Sequence, residues 1–180
     1  MVIIMKERIR HFIYLCILIG IDQASKYWAK ATLQKDGAMT LIPNVFKLQY
    51  HENSGAVWGV LQGKAGALSI FTIFILAALL FVYLHIPKDR KYTALKLVFV
   101  FIAAGAIGNL IDRIRYNFVV DFIYFELINF PVFNIADSYV TVASILIIIL
   151  AIFYYKDTDL DFLDQMFRRK NTKQKKHENP

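Results

Sequence analysis

Residues 65–84 (AGALSIFTIFILAALLFVYL) contain no charged side chain. A helix of about 20 such residues is what crosses the roughly 30 Å hydrocarbon core of a bilayer. This run places the chain among membrane proteins, and the composition agrees. Of the 180 residues 57% are hydrophobic and only 19% charged, against about 25% charged in soluble domains. A few spans with their loops use the whole length, which implies one membrane domain.

Four apolar stretches predict an all-α membrane protein with four transmembrane helices, at about 11–28, 65–84, 95–113 and 136–155. Residues 1–156 form the membrane domain and 157–180 a charged tail. The first stretch is impure: Asp22, Gln23, Ser25 and Lys26 follow its apolar part. A charge at the bilayer centre costs at least about 2.5–3.5 kcal/mol, so these residues belong near an interface. Lys6, Arg8 and Arg10 before an apolar run resemble the front of a secretory signal. The polar interval at 22–26 and the three further spans make it an anchor helix instead. Cys16 follows bulky Leu15, which does not suit a lipid-attachment site. As the only cysteine, it excludes a disulfide framework and a cysteine-based metal site.

Basic residues precede the first span, lie between the second and third (Lys88, Arg90, Lys91) and follow the fourth (Arg168, Arg169, Lys170, Lys173, Lys175, Lys176). Residues 116–134 contain none, and Lys35, Lys47 and Lys64 are scattered through 31–64. The positive-inside rule therefore puts both termini in the cytoplasm and these two loops outside. It also accounts for the net charge of +7, so no nucleic-acid partner is expected. After Pro43-Asn44, the alternation of Val45, Phe46, Leu48 and Tyr50 with Lys47, Gln49 and His51 predicts a strand or hairpin lying on the outer membrane face. Trp28, Tyr50, Trp58 and Tyr116 suit the headgroup level. Asp157, Asp159, Asp161 and Asp164 are expected in a solvated cytoplasmic stretch.

On this topology Asp22, Lys26, Asn53, Asn109, Asp112, Arg113, Asp121, Asn134 and Asp137 all fall in one leaflet. Polar groups at membrane depth are costly and mark functional sites. Asp22 and Lys26, four apart, share a helix face and can pair. Asn109, Asp112 and Arg113 also project to one side. Ala104 and Gly108, with Gly105, let another helix approach closely. Asp121 is expected in a loop and Asp137 at the start of the fourth span, sixteen positions on. If the loop folds back, the two acids meet near the outer interface and share a proton. Such a pair hydrolyses amides without a metal: one carboxylate deprotonates water while its protonated partner donates to the carbonyl oxygen. Simpler readings stay open. Asn134 and Asp137 suit a helix N-terminus, as cap and dipole partner, and Asp112 with Arg113 suits a local pair.

Other chemistries fit less well. His11, His51, His85 and His177 are scattered, and the histidine at 51 lacks the second histidine of a zinc-protease helix. No metal or cofactor is expected. A serine nucleophile at Ser54 or Ser25 with Lys26 as base is conceivable. A proton- or ion-coupled transporter or channel subunit, using Asp22, Asp112, Asp121 and Asp137, is the rival from another class. It lacks acids at mid-depth or on the cytoplasmic side. A small anchoring protein is a third reading.

The ordered motifs DQASK (22–26), HENSGAVWG (51–59), GAIGNLIDRI (105–114), VVDFI (119–123) and FNIADSY (133–139) closely resemble the bacterial lipoprotein signal peptidase (signal peptidase II) family, over about residues 10–156. The resemblance implies a four-helix aspartic endopeptidase of the bacterial cytoplasmic (inner) membrane, with its active site at the extracytoplasmic face. Such an enzyme removes the signal peptide of prolipoproteins just before a diacylglyceryl-modified cysteine. On this likeness Asp121 and Asp137 match the catalytic pair. Asn53 and Arg113 match positions that hold the substrate backbone, and Asn109 and Asn134 match polar positions lining the site. Asp22, Lys26, Asp112, Gly55 and Gly108 fall to the supporting network. The implied partners are prolipoprotein signal peptides, membrane lipid and the inhibitory cyclic lipopeptide globomycin. The departures are modest: Val57 stands where many relatives have alanine, Ser54 and Tyr139 also differ, and no motif covers the chain beyond Lys156.

Overall fold

A computed structural model describes residues 2–55 and 63–167. In order, it contains α1 (Val2–Asp36), β1 (Met39–Ile42), β2 (Phe46–Asn53), α2 (Ala65–His85), α3 (Thr93–Tyr116), β3 (Val119–Phe125), α4 (Ile135–Ile149) and α5 (Asp157–Phe167). A π-helical turn, Leu150–Tyr154, prolongs α4. The chain is mostly helical. Among the described residues three helical stretches are long and apolar enough to cross a membrane: Ala65–His85, Arg90–Tyr116 and Ile135–Tyr154. The first helix is longer than the expected 11–28, at 35 residues. Asp22, Gln23, Ser25 and Lys26 dilute its apolar character.

α3 is the central helix. The protein buries 44% of its apolar window, against 6% for α2 and 11% for α4. Small residues allow this. A Cβ built on Gly105 would stand 2.4 Å from the Ala136 carbonyl oxygen, and one on Gly108 would stand 2.4 Å from Asp22 Oδ2. Those glycines let α4 and α1 close on α3, as the small-residue patch predicts.

The β1–β2 hairpin forms where the alternation places it, closed by Asn44 at φ 60°, a left-handed conformation that asparagine tolerates. The third strand departs from the sequence reading. Asp121 lies on β3, not in a loop, and β3 pairs antiparallel with β2, with Asp121 opposite His51 and Val119 opposite Asn53. Val119, Val120, Asp121 and Phe122 are all buried. A strand covered on both faces carries no polar alternation to announce it. Asn117, also left-handed, caps α3 by donating its N–H to the Arg113 carbonyl, and turns the chain into β3.

At the other end of the bundle the acid-rich stretch is helix α5, with Asp157, Asp161 and Asp164 exposed as expected but its other face packed. Leu160 and Phe162 pack against Tyr92 and Tyr155, whose rings stack with centroids 5.5 Å apart. Lys91 pairs with Asp159, and the Tyr92 hydroxyl donates to the Asp159 carbonyl at 2.9 Å. The basic run at 168–176 and Trp58 lie outside the described residues.

The glycine packing is testable. Gly105→Ala meets backbone that cannot give, so it should lower stability by about 1–3 kcal/mol. Gly66→Ala, with nothing within 4 Å of the new Cβ, should stay within about 0.5 kcal/mol of the parent. Thermal unfolding in detergent reads both.

Candidate active site

Several of the polar residues that the sequence reading assigns to one leaflet converge on Lys26. Its ammonium, on a residue 3% exposed, lies 3.0 Å from Asp22 Oδ2 and 3.1 Å from Asp112 Oδ2. It donates a third bond to Asn109 Oδ1 at 2.8 Å. With three acceptors met, it has no lone pair to offer a serine. Ser25, moreover, turns its hydroxyl back to the Asp22 carbonyl at 2.7 Å.

Each flanking carboxylate ties down a further element. Asp22 Oδ1 accepts the Ala136 N–H at 3.0 Å, one of the amides that a helix start leaves without an intrahelical partner. Asp112 Oδ2 accepts the Val120 N–H of β3 at 3.1 Å. The local pair of Asp112 with Arg113, left open as a simpler reading, does not form. Among the described residues Arg113 has no carboxylate within ion-pair distance. It is half-buried, within electrostatic range of Asp137, Asp121 and Asp112. Gln23, to which the sequence reading gave no part in the site, donates its amide to Asp22 Oδ2, the Gly108 carbonyl and Asp112 Oδ1, each at 3.1 Å. Its place beside Asp22 was the only signal for it.

Asp121 and Asp137 are brought into one network from β3 and α4. Among the described residues they share no direct hydrogen bond; two asparagines join them. Asn134 Nδ2 donates to Asp121 Oδ1 at 2.6 Å and to Asn109 Oδ1 at 3.1 Å. Asn109 Nδ2 donates to Asp137 Oδ1 at 2.7 Å. Asn53 Nδ2 donates to Asp121 Oδ2 at 2.9 Å. Asn134 and Asp137 also form the helix-capping arrangement foreseen for α4: the Asp137 N–H donates to Asn134 Oδ1, and the Asn134 N–H donates to Asp137 Oδ2. Cap and site are therefore the same atoms.

The orientation of all three amides is fixed by chemistry. An amide can be turned either way unless a partner can only donate. Here Asn53 Oδ1 accepts the Gly55 N–H at 3.0 Å, Asn109 Oδ1 accepts the Lys26 ammonium, and Asn134 Oδ1 accepts the Asp137 N–H. Each NH2 must then face a carboxylate.

The two acids differ in setting. Asp121 is 1% exposed, whereas Asp137 keeps an accessible face. Burial, and then the negative charge of Asp137, push the Asp121 carboxyl up to about 7, against the pull of the Asn53 and Asn134 hydrogen bonds. It therefore carries a proton up to near-neutral pH. Among the described residues no three His, Cys, Asp or Glu side chains converge as a metal ion requires.

Two outcomes follow. Lys26→Met leaves two buried carboxylates without their cation and should cost about 3–5 kcal/mol in thermal unfolding. Asp121 holds its proton more tightly folded than unfolded, so its contribution to stability is lost as pH rises from about 4 to about 7, by up to about 4 kcal/mol. The melting temperature of Asp121→Asn relative to the parent should accordingly climb over that window and level off above it.

Comparison with known proteins shows the family. Residues 14–153 match the family model for signal peptidase (SPase) II. The lipoprotein signal peptidase of Streptococcus thermophilus is 39% identical over 133 residues, 74% of this chain and 86% of that one. The one from Staphylococcus aureus is 40% identical over 161 residues, covering 83% and 93%. A solved structure described as a bacterial membrane enzyme superposes with a TM-score of 0.70 at 36% identity, covering 81% of this chain and 94% of the other. A second aligns over 93% of both chains, with a TM-score of 0.68 and 35% identity. The chain belongs to the signal peptidase II family, and is a peptidase of the membrane.

Proposed function

We propose that this peptidase cleaves the signal peptide from bacterial prolipoproteins, before a diacylglyceryl-modified cysteine, by aspartic chemistry at Asp121 and Asp137. The observation that carries the reading is the pair itself, two carboxyl groups from β3 and α4 held in one network by Asn53, Asn109 and Asn134. Asp121 is buried and holds a proton to about pH 7, while Asp137 is open enough to meet water.

Asp137, as carboxylate, takes a proton from a water placed against the scissile carbonyl. The Asp121 carboxyl donates its proton to the carbonyl oxygen as the tetrahedral intermediate forms. Collapse returns one proton to Asp121 from that oxygen and delivers the other from Asp137 to the departing amine. Asn109 and Asn134 hold the two carboxyl groups in place. Asn53 and the uncommitted guanidinium of Arg113 hold the substrate backbone; Gly55 supports Asn53 through its N–H, and Gly108 leaves room for Asp22. No metal or cofactor takes part. Globomycin, on the family likeness, competes for the same place.

In this reading α1 is a fourth span. Both termini are cytoplasmic, and the sheet and site lie at the extracytoplasmic face of the cytoplasmic membrane. Residues 1–156 are the peptidase domain, with 157–180 a cytoplasmic tail. A lipid-modified cysteine keeps the scissile bond at that interface, so lateral entry from the bilayer suffices.

The test is cleavage of a diacylglyceryl-modified prolipoprotein by the purified chain in detergent. Asp121→Asn and Asp137→Asn, each shown to fold, should lose about 100- to 10,000-fold in rate, while Ser54→Ala stays active. The parent's activity should fall as pH rises through about 7, when Asp121 gives up its proton. Normal cutting by either asparagine variant would end the aspartic reading.

A further inference from the structure

A second polar cluster lies at the opposite end of the bundle from the carboxylates, and the peptidase reading does not use it. Glu7 and Lys96 pair at 3.1 Å, with Lys96 only 5% exposed. Beside them His11, 2% exposed, shares a 2.8 Å hydrogen bond with the Tyr83 hydroxyl. Its other nitrogen, Nε2, has no partner among the described residues. An unpaired buried nitrogen costs about 1–3 kcal/mol.

His11 lines a cleft of about 380 Å³ between α1, α2 and α3, within the usual range of roughly 300–1,000 Å³ for small-ligand sites. The cleft is graded along its length. Arg8, His11 and Tyr83 line its end nearest the start of α1. Leu15, Leu76, Ala103 and Ile107 line it towards the middle of the helices. From Tyr83 to Leu76 the wall rises about 10 Å along α2. Glu7 and Lys96 neutralise each other. Arg8 is exposed and, among the described residues, has no carboxylate within ion-pair distance. One free cation at the mouth of an apolar slot that leads inwards matches a phosphate with an acyl chain behind it.

We propose that this cleft is a binding site for one anionic glycerophospholipid of the leaflet remote from the carboxylates. Arg8 meets the phosphate, the His11–Tyr83 pair lies beneath the glycerol region, and one acyl chain runs along Ala103 towards Ile107. The site is independent of the peptidase reading and stands or falls without it.

Native mass spectrometry of the full chain in detergent, titrated with phosphatidylglycerol or phosphatidylcholine, tests it. The parent should retain one phosphatidylglycerol about fivefold more tightly than phosphatidylcholine, the ordinary contribution of one cation near an anionic headgroup. Arg8→Gln, an exposed change that leaves packing alone, should erase the preference. Ala103→Phe, checked for folding by its melting temperature, should fill the slot and lose the retained lipid. Equal binding of the two lipids by the parent, or an undiminished preference in Arg8→Gln, would overturn the proposal.

Discussion

A single buried ammonium organises the half of this protein that matters chemically. Lys26 joins Asp22 on its own helix to Asp112 on α3, and those two carboxylates in turn hold the first turn of α4 and the start of β3. Desolvating ions is expensive, and a buried pair often contributes little net stability. What it supplies here is position. Four elements are referred to one point by charge-assisted hydrogen bonds, which are short and directional. The glycines of α3 follow from the same requirement, since only a helix without side chains at 105 and 108 lets Ala136 and Asp22 come so close.

The second layer of order is the direction of three amides. A carboxylate pair held by freely turning asparagines would be offered donors or acceptors at random. The Gly55 amide, the Lys26 ammonium and the Asp137 amide each pin one carbonyl, so every NH2 is spent on an acid. The same donors that hold the acids favour their charged forms. The elevated proton affinity of Asp121 therefore comes from burial and from its neighbour's charge, against its hydrogen bonds.

Much of this was legible in the sequence. Uncharged length gives the apolar spans, four-residue spacing gives the Asp22–Lys26 pair, and the clustering of costly groups in one leaflet points at the site. β3 was not legible, because a strand buried on both faces over VVDF has no period-two signature and reads as apolar loop. α5 was missed because its aspartates dominate the eye, while Leu160, Phe162 and Leu163 between them supply the packing face. Gln23 and the amide orientations depend on who faces whom across elements, which no local pattern encodes. The join between Asp121 and Asp137 is of the same kind: proximity was foreseen, but not the asparagines standing between them.

The bond from the Ala136 amide to Asp22 spans 114 positions of sequence. A chain made from its N-terminus thus brings Asp22 and Lys26 into being early, already neutralised one helical turn apart, while Asp112, Asp121 and Asp137 follow in that order. The start of α4 supplies both the last carboxylate of the network and the Asp137 N–H that orients Asn134. Growing chains emerge vectorially and long-range pairing comes last. The unfinished polypeptide therefore carries α1 to α3 without the assembled carboxylate network, which closes only when synthesis has passed the start of α4.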